Sequence, residues 1–197
     1  MRSELELISS WIKPGSRVLD LGCGDGTLLK HLQDSRNVTG YGLEIDSANI
    51  QKCIEAGINV IQTDLDAGLS DFDEDSFDYV VMTQTLQAVH FPDRVLDEML
   101  RIGREGIVTF PNFGHWRSRL QLLWDGRMPV SKALPNQWFN TPNIHLCTLR
   151  DFEELCEDKG IRIIERIVLD TSHHSNVWMN LMPNLFGELA LYRFRKK

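Results

Sequence analysis

The chain has 197 residues, 42% of them apolar, with 28 acidic against 21 basic side chains and a formal net charge of −7. That length favours one domain, because single cores grow to roughly 250 residues before splitting. The acidic balance argues against a nucleic-acid partner, which calls for a basic footprint.

No apolar run nears the roughly 18 residues of a membrane span, and no charged-then-apolar leader opens the chain. Cys23, Cys53, Cys147 and Cys156 form no Cys-x-x-Cys pair. The expectation is a cytoplasmic protein with reduced, buried thiols, no membrane contact and no metal site.

Ser3-Glu4-Leu5-Glu6 reads as a capping box. With Leu5, Ile8, Trp11 and Ile12 on one face, it predicts a helix over residues 3–12 that Pro14-Gly15 ends. Residues 17–27, RVLDLGCGDGT, then carry a buried-strand pattern into Gly22, Gly24 and Gly26. An apolar helix start at Leu28 and Leu29 follows, predicting a helix over 26–34. Strand, glycine turn and helix make half of a βαβ unit, and ligands sit at the carboxyl ends of such strands.

Dinucleotide spacing would require a glycine where Thr27 stands. Asp20 precedes the first glycine by two residues, a place where a carboxylate repels a pyrophosphate and suits an ammonium group. This disfavours a nicotinamide dehydrogenase. Residues 38–44, VTGYGLE, read as the next strand and end in Glu44, eighteen residues beyond Gly26. An acid at that distance accepts from ribose hydroxyls, and Ile45 is placed to touch an adenine face. Ser47 is expected to cap a helix through Ile50 and Ile54. Residues 59–62 give a third strand before Thr63-Asp64-Leu65.

Residues 66–75 are acidic and read as a loop with at most one helical turn. Residues 77–82, FDYVVM, are apolar on both faces, as in a central strand. They lead into Thr83-Gln84-Thr85-Leu86, expected to line the site. Pro92-Asp93 opens a helix through Val95, Leu96, Met99 and Leu100, and residues 106–110 form another strand. Four such alternations predict a parallel sheet with right-handed crossovers.

Residues 111–147 break the alternation, far beyond the usual connection of about 2–6 residues. This stretch holds three of the five tryptophans, Trp116, Trp124 and Trp138, with Arg117, Arg119, Arg127 and Lys132. Residues 115–124 read as an amphipathic helix with Trp116, Leu120, Leu123 and Trp124 on one side. Thr148-Leu149-Arg150-Asp151 resembles a capping box, and residues 161–169 form a strand. Residues 170–183 are expected as a polar loop with His173, His174 and Trp178. A last strand over 184–195 then closes an antiparallel hairpin edge with no helix between.

The run Asp-x-Gly-x-Gly-x-Gly resembles motif I of the class I S-adenosylmethionine-dependent methyltransferases. FPNFGHW, GRMPVSKALP and TPNIHLCT, within residues 109–155, resemble the signature of the methionine biosynthesis protein MetW family, and the likeness covers essentially the whole chain. It implies an α/β, Rossmann-like class I methyltransferase fold over 1–197. That fold has a mostly parallel seven-stranded sheet, an antiparallel edge strand and helices on both faces, here with an insertion at about 111–147. It implies S-adenosylmethionine or S-adenosylhomocysteine as cofactor, held by Asp20, Gly22, Cys23, Gly24, Asp25, Gly26, Glu44, Ile45, Asp64, Leu65 and Thr83. In the family's pattern the glycines approach the methionine part, Asp20 lies near its amino group and Asp64 near the adenine amine. The partner implied is homoserine O-acyltransferase, MetX, in methionine biosynthesis.

No catalytic group is assigned. His145, His90 and His115 are the candidate bases, with His145 best placed, and Trp116, Arg117, Arg119 and Arg127 are the candidate contacts for a partner or an anionic acceptor. Two readings remain open: a cofactor-binding protein acting with the acyltransferase, and a methyltransferase acting on an unidentified small molecule.

Overall fold

The computed structural model describes residues 2–170 and 177–197. The elements are α1 (Arg2–Trp11), β1 (Arg17–Leu21), α2 (Thr27–Arg36), β2 (Thr39–Glu44), α3 (Ser47–Glu55), β3 (Val60–Gln62) and a 3-10 turn (Leu65–Ala67). They continue with β4 (Phe77–Thr83), α4 (Pro92–Ile102), β5 (Gly103–Pro111), α5 (Trp116–Asp125) and α6 (Leu149–Asp158). The chain closes with β6 (Ile161–Leu169), α7 (Val177–Leu181), α8 (Pro183–Phe186) and β7 (Leu189–Lys196).

Seven strands form one sheet in the order β3-β2-β1-β4-β5-β7-β6. Pairing is parallel from β3 through β5, while β7 runs antiparallel to both β5 and β6. Side chains on a strand alternate between faces, and here they feed two cores. Leu19, Leu21, Val80, Met82, Val108 and Phe110 face α4 and α6. Val18, Tyr79, Val81 and Ile107 pack with Ile8 and Trp11 of α1 and with Leu28, Leu29 and Leu32 of α2. Under α6, the rings of Phe110, Phe152, Tyr192 and Phe194 make one aromatic cluster, with Phe152 4.7 Å from Tyr192 between centroids.

Three local expectations change. The cap of α3 is Asp46, not Ser47, because its carboxylate accepts from the Ala48 and Asn49 backbone N–H groups at 2.8 and 3.0 Å. A carboxylate supplies the fixed acceptor that a helix start needs. The last strand begins at Leu189 rather than at residue 184, and α7 and α8 stand between β6 and β7 where a plain loop was expected. Pro183 lies in the first turn of α8, where its missing N–H costs nothing. His173, His174 and the Ser3 side chain, a member of the expected capping box, lie outside what is described. By contrast, Thr148 and Asp151 form the reciprocal capping box expected for α6.

Gly40 shows how closely β1 and β2 lie together. It pairs with Val18, and a Cβ there would sit 1.7 Å from the Val18 carbonyl oxygen. Gly40→Ala therefore forces the two strands apart and should cost on the order of 1–3 kcal/mol, as overpacking does. A lowered urea midpoint with unchanged m-value would report it.

Candidate functional site

The strand order reverses between β1 and β4, and a crevice opens beyond their carboxyl ends at such a switch point. Its floor is the turn after β1. Gly22 adopts a left-handed φ of 70°, and a Cβ there would meet Thr85 Oγ1 at 2.5 Å. The backbone N–H groups of Gly22 and Cys23 both donate to the Leu43 carbonyl, at 2.9 and 3.0 Å.

Glu44 ties this turn to the end of β2. Its Oε2 accepts from Gly24 N–H at 2.8 Å, and its Oε1 from Ile45 and Asp46 N–H at 2.8 and 2.9 Å. A carboxylate offers about four acceptor sites, so three backbone bonds leave one open toward the crevice. The expected pair of free oxygens is therefore reduced, because Glu44 also organises the loop.

A cavity of about 340 Å³ occupies the crevice and brings together Gly22, Glu44, Ile45, Asp64 and Leu65 of the expected set. It also holds Thr85, from the Thr83–Leu86 run expected to line the site, and the candidate base His90, and it adds Thr63, Asp66 and Val89. Asp64 accepts from Asp66 N–H through Oδ1 at 3.0 Å, which starts the 3-10 turn and leaves Oδ2 uncommitted among the described residues.

Asp20 is not on the cavity wall. It is fully buried, and neither carboxyl oxygen has a hydrogen-bond partner among the described residues. Burial, then the neighbouring Glu44 charge, push its pKa up to about 7. Cys23 turns away from the cavity to Cys53, their sulfurs 3.8 Å apart, and burial and the charge of Asp20 raise its thiol pKa. Asp25 is exposed and accepts from Thr27 N–H and Oγ1 at 3.1 and 2.6 Å, bonds that hold it below the usual range. Gly24 borders open space, Gly26 caps α2, and the Thr83 carbonyl accepts from Thr85 Oγ1 at 3.0 Å.

The three histidines separate. His90 lines the cavity, its Nδ1 2.7 Å from Asp66 Oδ2. Asp66 Oδ1 also accepts from His90 and Phe91 N–H at 2.8 and 3.3 Å. Partial burial would raise the Asp66 carboxyl, but these bonds outweigh it and leave the pKa lowered. His145 is exposed, its Nε2 3.2 Å from the His90 carbonyl. His115 is buried away from this cavity, 3.8 Å from Glu188, and desolvation lowers its pKa against the pull of that charge.

Glu4, a member of the expected helix cap, makes a contact across the sheet that the cap pattern does not show. Glu4 of α1 is buried, and its carboxylate accepts from Thr109 Oγ1 at 2.8 Å and reaches Gln84 Nε2 at 3.5 Å. It bridges the ends of β4 and β5 beside Gln84, a non-glycine residue at φ 55°. An acid on a helix carries no sequence mark for that contact.

The expected amphipathic face of α5 does not pack inward. Within α5 only Ser118 is buried, while Leu123 and Trp124 are 74% and 73% exposed. Arg117 stacks over Trp116 at 5.3 Å, Arg127 is exposed, and Arg119 Nε donates to the Gly114 carbonyl at 2.6 Å. Among the described residues no helix is long and apolar enough to cross a membrane, and no three His, Cys, Asp or Glu side chains form a metal cluster.

Sheet order, the antiparallel β7 and the glycine-floored crevice together define the class I methyltransferase fold. A methyltransferase from Mesorhizobium loti described as S-adenosylmethionine-dependent superposes with a TM-score of 0.72 at 16% identity, covering 98% of each chain. Phosphoethanolamine N-methyltransferase 2 of Haemonchus contortus, solved with S-adenosyl-L-methionine, gives 0.71 at 14% identity over 99% of this chain and 52% of that one.

Within that class the chain belongs to the MetW family, "methionine biosynthesis protein MetW", whose model matches residues 2–194. The bifunctional methionine biosynthesis protein MetXA/MetW of Rhodopirellula baltica is 35% identical over 98% of this chain. The chain spans 32% of the length of that relative.

The elevated pKa of Asp20 has a stability consequence. Folded Asp20 keeps its proton up to about pH 7, whereas its ordinary pKa is 3.8. Stability is therefore undiminished below pH 4, falls as pH rises from 4 to 7 by on the order of 4 kcal/mol for about three units, and levels off above 7. Asp20→Asn should unfold at higher urea than the parent at pH 8 and at nearly the same urea at pH 4.

Proposed function

We propose that this chain binds S-adenosylmethionine or S-adenosylhomocysteine in the β1–β2–β4 crevice and acts in methionine biosynthesis with a homoserine O-acyltransferase. One observation carries the cofactor reading: a buried carboxyl without a partner, Asp20, beneath a glycine turn that leads to Glu44 and Asp64. Buried polar groups are normally paired, and the α-ammonium of the ligand is the donor type Asp20 lacks. In this reading Glu44 accepts from ribose, Ile45 covers one adenine face, and Asp64 accepts from the adenine amine. Gly22 allows close backbone approach. The sulfonium supplies an electrophilic methyl group, and the chain's own part is to hold it aligned and to exclude water.

If Asp20 must ionise to receive an ammonium, binding pulls a proton off the protein. Affinity for S-adenosylhomocysteine should then rise about tenfold per pH unit from 5.5 toward 7 and level off above it. Calorimetry in buffers of different ionisation enthalpy would read the released proton, and Asp20→Asn should abolish both the slope and the release.

The partner reading rests on the Rhodopirellula relative, whose name joins MetXA and MetW in one polypeptide. It rests also on the exposed aromatic and basic surface of α5 and the following segment. Trp124, Trp138 and Phe139 are 73%, 73% and 70% exposed, and Trp116, Arg117 and Arg127 are exposed as well. Trp and Arg are favoured interface anchors, and an apolar surface of this kind marks an interaction site. Co-purification with the acyltransferase should be lost in Trp124→Ala/Trp138→Ala, with S-adenosylhomocysteine affinity unchanged. Association that survives the double variant places the contact elsewhere.

The second reading is methyl transfer to a small molecule. It is favoured by His90 on the cavity wall with Nδ1 held by Asp66, which leaves Nε2 to take a proton from an acceptor.

A further inference from the structure

A second cavity, of about 400 Å³, lies away from the crevice and shares no lining residue with it. Arg119 of α5, Arg150 of α6 and Arg166 of β6 converge on it, and the only acidic side chain in its lining is Glu153. Glu153 is already engaged: its Oε1 lies 2.7 Å from Arg166 Nη1 and accepts from the Tyr192 hydroxyl at 2.8 Å. That pair is neutral as a unit.

Arg119 and Arg150 are left without an acidic partner among the described residues. Arg119 spends only Nε, on the Gly114 carbonyl, so among the described residues both of its terminal nitrogens are without a partner. Two uncompensated guanidinium groups around one concavity are unusual in a chain of net charge −7. Their repulsion grows as the walls exclude water. Apart from Asn184, the rest of the lining is apolar, built from Leu149, Leu181, Met182, Pro183 and Leu185. Asn184 anchors α8 to α6 and to the segment after β5, its Oδ1 accepting from Leu149 N–H and its carbonyl from Asn112 Nδ2, each at 3.1 Å.

From this arrangement we infer a binding site for a small anion that carries a short apolar arm, a carboxylate or a phosphate monoester. Guanidinium forks match the paired oxygens of both head groups. The volume falls in the range of small-molecule pockets, roughly 300–1,000 Å³. The head group bridges Arg119 and Arg150, and the arm lies along Met182 and Leu185. The site is independent of the cofactor reading, since neither pocket contributes a residue to the other.

The test titrates the full chain with hexanoate, hexyl phosphate and neutral hexanamide by calorimetry at low salt. At least one anion should bind with Kd near 1 mM or tighter and lose affinity as salt is raised, with hexanamide about tenfold weaker or more. The stronger of the two anions identifies the head group. Arg150→Ala, on an exposed helix start, and Met182→Glu, which puts a carboxylate in the cavity, should each weaken that anion about tenfold. Neither should change S-adenosylhomocysteine binding. Hexanamide binding as well as the anions, anion affinity that survives both variants, or no binding to about 20 mM would overturn the site.

Discussion

The crevice depends on one carboxylate. Glu44 holds the glycine turn after β1 and the turn after β2 by three short backbone bonds, and two further N–H groups of the first turn converge on the Leu43 carbonyl. Orphan N–H groups at the ends of parallel strands must find acceptors when they are buried, and here the end of β2 supplies them. The turn is thereby held open and left-handed at Gly22, and the same acid that faces the cavity shapes its floor. Removing Glu44 would disturb the loop before it disturbed any ligand.

Asp20 is the counterpart cost. Its carboxyl is the one buried acid in the crevice region without a hydrogen bond, and its pKa is raised to about 7 by desolvation and by Glu44. A protein that holds such a group under a cavity gives up stability at neutral pH. The cost is understandable where a cationic donor is to arrive. Glu44 contributes to that strain while satisfying the backbone, so the two acids play opposite parts.

Away from the crevice, charge and apolar surface are distributed unevenly. The segment after β5 leaves Trp124, Trp138 and Phe139 exposed. The α5–α6–β6 corner gathers arginines in an otherwise acidic chain. The exposed rings lie outside the alternating strand–helix frame, whose own hydrophobic faces are closed by α1, α2, α4 and α6, and the arginines stand on its outer surface or on α5. The frame is complete without them, which is why their role is sought in binding rather than in folding.

Strand order, and helix order as far as β6, was legible in the residues themselves, because alternating and 3.6-residue apolar periods are local properties. The glycine spacing, Glu44 and Asp64 were legible for a similar reason: they stand at strand ends, where topology leaves little freedom. Other features were decided by contacts distant in sequence. Glu4 reaches Thr109 across the sheet, Asp66 orients His90, and Asn184 joins α6 to the end of β5. The apolar side of α5 was legible as a stripe but not as bare surface, because periodicity reports which residues are apolar, not whether a neighbour exists to cover them. The sequence by itself determined the sheet and the place of the crevice. Only the tertiary structure decided which acids are enclosed, which are spent on backbone, and which apolar faces stay bare, since burial and pairing belong to the assembled chain.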